Sequence, residues 1–410
     1  MAPSSVKKTV QYLPAGLCVS MVKFKPEYYL LCAVTFFVGL SFYFLVPIIP
    51  LFLKNIISVR DSDIGLVMGV FSVGALLSRV VAGFFLDRYS RYAVALISLL
   101  LMTLISAAHN FAAGVLPFLA VRIAHGFFWG LTATSLYTIV SDVIPESARG
   151  MGFGIYGSMI ILAMSVSPPV SIYLYKAYSF QRVVFLSAGL ACAAILMLAV
   201  MVRSGQAVPA NNLRLGFSEY LENLTDARIM SLGMLFFAVS FVFTGVLSFI
   251  LIYAAQSGIP RPGIFFTLYA AATVVTRPIQ GILYDRQGPA RLIVFAALAG
   301  IAGFWLLGAD MAYPAYCGGA VLLGVSIGVL FTCPQAMAMD IVAAGNRGAA
   351  NAQLSFLSDV GGLTGGIILG RVAGSFGYSR VFMISALLFA GLLAYSRFYV
   401  LPRYAIWKKG

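Results

Sequence analysis

The stretch Gly74-Ala-Leu-Leu-Ser-Arg79-Val-Val-Ala-Gly83-Phe-Phe-Leu-Asp87-Arg88-Tyr-Ser-Arg91 places one arginine inside an apolar run and ends that run on three charges. Arg79, Gly83 and Asp87 are four residues apart, so a helix carries them on one stripe. Gly83 on that stripe permits close approach of a second helix, and the stripe is expected to face protein rather than lipid. The pattern recurs as Arg277-Pro-Ile-Gln-Gly281-Ile-Leu-Tyr-Asp285-Arg286-Gln-Gly288. A constant shift of 198 residues superposes Arg79 on Arg277, Gly83 on Gly281, Asp87 on Asp285 and Arg88 on Arg286. It also pairs Gly126 with Gly324, Gly130 with Gly328, Asp142 with Asp340, Arg149 with Arg347 and Gly150 with Gly348. Composition alone does not generate such matches in an apolar chain, so the two halves are read as copies of one unit.

Working outward, the chain of 410 residues is 61% hydrophobic and only 10% charged. Soluble domains run nearer 45–50% apolar and about 25% charged, which excludes a soluble enzyme of this length. Apolar runs fall near residues 28–53, 64–86, 92–108, 115–140, 150–174 and 182–202. Six more fall near 229–254, 262–284, 291–309, 315–339, 349–373 and 380–400. Spans must be helical, because lipid cannot satisfy backbone polar groups. The expected fold is all-α: twelve transmembrane helices as two pseudo-symmetric six-helix bundles. The bundles are expected at 27–202 and 229–400, with 1–26 a cytoplasmic N-terminal segment, 203–228 a cytoplasmic linker and 401–410 a cytoplasmic tail. The first 26 residues have no short apolar core ending in a cleavage site, so the first span is expected to direct insertion.

The formal charge of +14 would point to nucleic acid in a soluble protein. Here placing the N-terminus in the cytoplasm puts most loop cations on that side, among them Lys7, Lys8, Arg88, Arg91, Arg286 and Arg291. The opposite loops hold Lys54, Arg60, Lys176, Arg182, Arg261 and Arg380. That asymmetry places both termini inside a plasma membrane and removes the nucleic-acid reading. Parallel six-span repeats are a transporter architecture, with the substrate site near mid-membrane between the halves.

The loop Gly74-(eight residues)-Gly83-Phe-Phe-Leu-Asp87-Arg88-Tyr-Ser-Arg91 resembles the signature loop of the major facilitator superfamily, G-x8-G-x3-D-R-x-G-R-R. Ser90 stands where the family has glycine, and Tyr92 where it has a base. Arg122-Ile-Ala-His125-Gly126 is similar to the family's R-x-x-Q-G, with histidine replacing glutamine. Ser167-Pro168-Pro169-Val170-Ser171 sits where exporters of the drug/proton antiporter branch carry G-P-x-x-G, and both glycines are lost. The resemblance covers essentially the whole chain and is most like that efflux branch. It implies a cytoplasmic gate in which Asp87 meets a helix N-terminus and Arg88 pairs with Asp142. Gly83 belongs to the same motif, and Gly281, Asp285, Arg286 and Asp340 form the second copy. The alternative is that these residues only set topology and loop folding.

Ionisable residues inside a membrane are functional candidates by default. Asp359 lies about ten residues, roughly 15 Å, into its span, near the bilayer middle. It is read as a protonation site or a partner for a cationic substrate group, the alternative being a structural salt bridge to one of the arginines. Arg122 and His125 sit one turn apart; the resemblance links Arg122 to proton transfer, and His125 is read either as a proton carrier or as a satisfied core histidine. Arg79 and Arg277 either snorkel to the cytoplasmic surface or face the cavity. If all three arginines face it, one aspartate leaves the cavity net positive and favours an anionic substrate group. Tyr43, Tyr137, Tyr156 and Tyr269 lie mid-span and either line a cavity or pack. Gly324-Val-Ser326-Ile-Gly328 mimics a hydrolase elbow but lacks the strand-turn-helix setting, and no P-loop lysine or zinc signature appears.

The expectation is therefore a non-enzymatic secondary transporter: proton-coupled efflux of a small organic molecule, by antiport. No cofactor and no metal are expected. The partners are a small-molecule substrate, protons and membrane lipid, with the chain a monomer. An importer of an organic anion and a non-transporting scaffold or receptor with the same fold are the alternatives.

Overall fold

A computed structural model describes residues 24–145, 149–203, 226–309, 311–342 and 347–408. The linker expected at 203–228 lies outside these residues except at its two ends, as does all but the end of the 1–26 segment. Among the described residues the fold is all-helical. The first half comprises α1 (Pro26–Leu45), α2 (Asp61–Gly69 and Phe71–Arg88), α3 (Arg91–Ala108), α4 (Val115–Val143), α5 (Arg149–Ala177) and α6 (Phe180–Arg203). The second comprises α7 (Ala227–Gln256), α8 (Ile264–Gln287), α9 (Pro289–Ala309), α10 (Tyr313–Ile341), α11 (Arg347–Phe376) and α12 (Tyr378–Tyr395). Eleven of these are long and apolar enough to cross a membrane; α8 is apolar over Ile264–Arg277 and then takes on the charges of the repeat.

Three boundaries differ from the hydropathy reading. α1 runs on through Ile48–Phe52 and a wide turn at Leu53–Ile57, which Ser58 ends with a left-handed backbone (φ 58°). α2 starts earlier, at Asp61, and is interrupted at Val70, beside Gly69. The segment expected as a tail from 401 is helical over Leu401–Trp407 and, through Ser396–Val400, extends α12, because Leu401 and Tyr404 bury themselves on the bundle.

The halves share one core at one end only. A continuous cluster joins Val242, Phe249, Phe265, Leu323 and Phe382 of the second half to Leu45, Ile49, Leu53, Ile64 and Phe180 of the first. The other end of the first half keeps a separate core of Tyr28, Leu31, Tyr92, Leu99, Leu136 and Leu198. At the shared end, α2 crosses α11 glycine on glycine. A Cβ at Gly65 would run into the Gly366 carbonyl and Gly370 Cα, and one at Gly366 into Gly65 and Gly69. Small residues at such positions let backbones touch. Asp61 adds a polar tie, accepting from Lys54 Nζ at 2.7 Å and, across the halves, from the Tyr378 hydroxyl at 2.8 Å. Toward the opposite end Gly154 of α5 and Gly281 of α8 face open space.

Candidate functional site

The central polar contact between the halves is an ion pair. Arg79 Nε on α2 donates to Asp359 Oδ2 on α11 at 2.5 Å. Both side chains are part-buried, Asp359 at 14% exposure and Arg79 at 28%. α2 delivers Arg79 because its charged stripe turns to protein, and α11 delivers Asp359 because its glycines bring it against α2 and α7. Gly361 and Gly365 are pressed against the Phe237 and Phe241 carbonyls, and Gly362 lies beside Ser72.

Arg277, the repeat counterpart of Arg79, has no such partner. Its Nε is buried without a hydrogen bond among the described residues. The guanidinium points at α5 of the other half, where a Cβ on Gly157 would come within 3.5 Å of Nη1. Tyr269, two turns earlier on α8, is 3% exposed, stacks on Phe243 and lies within electrostatic reach of Tyr43 on α1 and of Arg277. Tyr43 of the first half packs against the same core cluster that holds Tyr269 of the second.

The other tyrosines do not join them. Tyr137 stacks on Phe153 with ring centroids 4.9 Å apart. Tyr156 is buried in the separate core of the first half and meets Tyr137 edge-on at 6.4 Å.

Arg122 and His125 lie inside the first half. Arg122 is 2% exposed and His125 fully buried. The guanidinium sits over the Phe71 ring at 4.5 Å and donates weakly to the Val67 carbonyl at 3.4 Å. His109, which no motif flagged, completes the group: its ring is 5.3 Å from that of His125. His109 Nδ1 faces the Ile105 and Ser106 carbonyls, and His125 Nε2 meets the Ser106 hydroxyl at 3.2 Å. Arg122 Nη1, His109 Nε2 and His125 Nδ1 are left buried without partners among the described residues.

The side chains of Gly83, Asp87 and Asp285 lie outside the described residues. At the gate positions that are described, the pairing differs from the one the resemblance implies. Asp142 takes its ion pair from Arg91 at the start of α3, rather than from Arg88, which is exposed at the end of α2. Asp340 accepts from the Tyr284 hydroxyl at 3.0 Å, the Tyr404 hydroxyl at 2.7 Å and Lys408 Nζ at 2.8 Å. The extension of α12 brings the last two there, ahead of Arg286. Among the described residues no cluster of His, Cys, Asp or Glu could hold a metal.

Among the described residues, twelve helices in two repeated halves, eleven of them long and apolar enough to cross a membrane and the halves meeting at a polar seam, define a polytopic membrane transporter. The Major Facilitator Superfamily model matches residues 31–309 and 258–409, and the chain belongs to that family. It is similar to the multidrug resistance protein MdtG of Rahnella sp., with 24% identity covering 86% of this chain and 88% of that one. It is equally similar to the multi-drug resistance efflux pump PmrA of Streptococcus pneumoniae, with 24% identity over 86% and 90%. Among solved structures, the nucleoside transporter NupG superposes with a TM-score of 0.72 at 15% identity, covering 91% of this chain and all of that one.

Proposed function

We propose that this transporter exports a small organic molecule in exchange for protons, from a plasma membrane with both termini in the cytoplasm and the chain acting as a monomer. The observation that carries the reading is the Arg79–Asp359 ion pair, which ties the halves together at mid-membrane. A proton delivered to Asp359 removes the negative partner, and the tie with it. Arg79 is then left unpaired, which is tolerable only where water reaches it, so protonation favours a rearranged seam. The shared core lies at the outer end in this orientation, and the separated end opens to the cytoplasm, ready to load substrate. One proton crossing 100 mV supplies about 2.3 kcal/mol, enough for a substrate gradient of nearly two decades. The likeness to proteins named as multidrug resistance and efflux proteins supports the outward direction.

The test is transport in proteoliposomes with an imposed pH gradient. Substrate moving against the proton flow supports antiport; movement with it would overturn the exchange. Asp359→Asn is expected to abolish proton-driven movement while leaving the protein monodisperse, and unchanged driving would remove Asp359 from the mechanism.

A further inference from the structure

We infer that the substrate carries one anionic group, which Arg277 binds at the seam. The inference rests on the transport reading above and names the substrate class for the same seam.

Of the three intramembrane arginines considered, two are accounted for. Arg79 is neutralised by Asp359. Arg122 is turned into the first half, over Phe71. Arg277 brings to the seam a charge that no carboxylate meets among the described residues, and its buried Nε, without a hydrogen bond there, is costly until an anion meets it. Its planar fork matches carboxylate, phosphate or sulfonate oxygens. Room for that group exists because the residue facing it on α5 is Gly157, and Gly154 and Gly281 beside it open on empty space.

The experiment measures thermal shift and binding on the purified full-length transporter with four probes sharing one ring. These are naphthalene-2-sulfonate, naphthalene-2-carboxylate, naphthalene-2-sulfonamide and 2-naphthylmethyl-trimethylammonium. The two anions are expected to bind and the other two not, with their relative affinities separating sulfonate-type from carboxylate-type substrates. Arg277→Gln is expected to weaken anion binding by about tenfold or more, the loss of one charge-assisted contact, while Arg277→Lys retains part of it and controls for folding. Failure of both anions to bind, equal or better binding of the sulfonamide or ammonium probe, or wild-type anion affinity in Arg277→Gln would each overturn the inference. Asp359→Asn separates the two claims. Loss of proton-driven movement there with anion binding through Arg277 intact supports both. Proton-driven movement retained in that variant overturns the coupling reading and leaves the anion site standing.

Discussion

Arg122 is the least comfortable residue in the molecule on energetic grounds. It is almost fully buried, its one hydrogen bond to the Val67 carbonyl is long, and no carboxylate meets it among the described residues. Replacing a buried, poorly compensated charge by an apolar side chain of similar volume is often neutral or stabilising. Arg122→Met should therefore leave the melting temperature unchanged or raise it, while impairing transport; a melting point several degrees lower would show that Arg122 is structural. Asp359 and Arg79 contrast with it, because each has the other. A double-mutant cycle with Asp359→Asn and Arg79→Gln, read by thermal unfolding, should return a coupling of about 1 kcal/mol or more, since the pair is in direct contact. Additive effects would mean the two act separately. Asp359 was legible in the sequence as the lone central acid, but its partner was not: the two are 280 residues apart, and three arginines had equal claim. His109 escaped notice because no spacing marks it; only the fold turns the end of α3 toward His125.

At the scale of the helix, α2 against α11 is the contact most sensitive to side-chain volume. Gly366→Val would have to displace the backbone of Gly65 and Gly69, an overpacking cost of about 1–3 kcal/mol. The expected result is a lower melting point together with faster labelling, by a membrane-impermeant thiol reagent, of a cysteine placed at Ser62; unchanged labelling would show that this crossing does not close the outer end. α7 begins on Asp226, whose carboxylate accepts from the Arg228 backbone N–H at 2.8 Å and pairs with the Arg228 guanidinium. The hydrogen bond with the Arg228 side chain, above all, holds that carboxyl below the usual carboxylate range. A depressed value stabilises the fold above the ordinary carboxylate pKa, and that stabilisation is lost as pH falls through the depressed one. With a partly exposed pair the effect is modest, of the order of 1 kcal/mol for the cap. Asp226→Ala should lower the melting point near neutral pH and flatten its decline in acid; parallel acid limbs in the two proteins would refute the assignment. The spans themselves were readable from hydropathy because lipid demands long apolar helices. The break at Val70 and the extension of α12 were not, because both depend on which surface the helix packs against.

For the whole molecule, duplication was the readable fact and divergence between the copies the hidden one. Both copies keep an aspartate at the end of the fourth helix of their half. Asp142 is met by Arg91, whereas Asp340 is met by two tyrosines and Lys408. Tyr404→Phe together with Lys408→Ala should strip Asp340 of two of its three donors and lower the melting point, and deleting 402–410 should do at least as much. A tail-less protein as stable as the parent would show the α12 extension to be passive. The glycine crossing of α2 and α11 has a mechanical consequence. Because backbone touches backbone there, it behaves as a pivot. Asp359 stands seven residues from Gly366, a lever arm of about 10 Å, while the start of α11 at Arg347 is about 28 Å away. A helix displacement of about 1–2 Å at the ion pair, ordinary for switching proteins, already stretches a 2.5 Å bond beyond hydrogen-bonding range. At the far mouth the same tilt is geared up roughly threefold. On the proposed coupling, the catch sits close to the hinge, where one proton on Asp359 releases the largest movement at the opposite end.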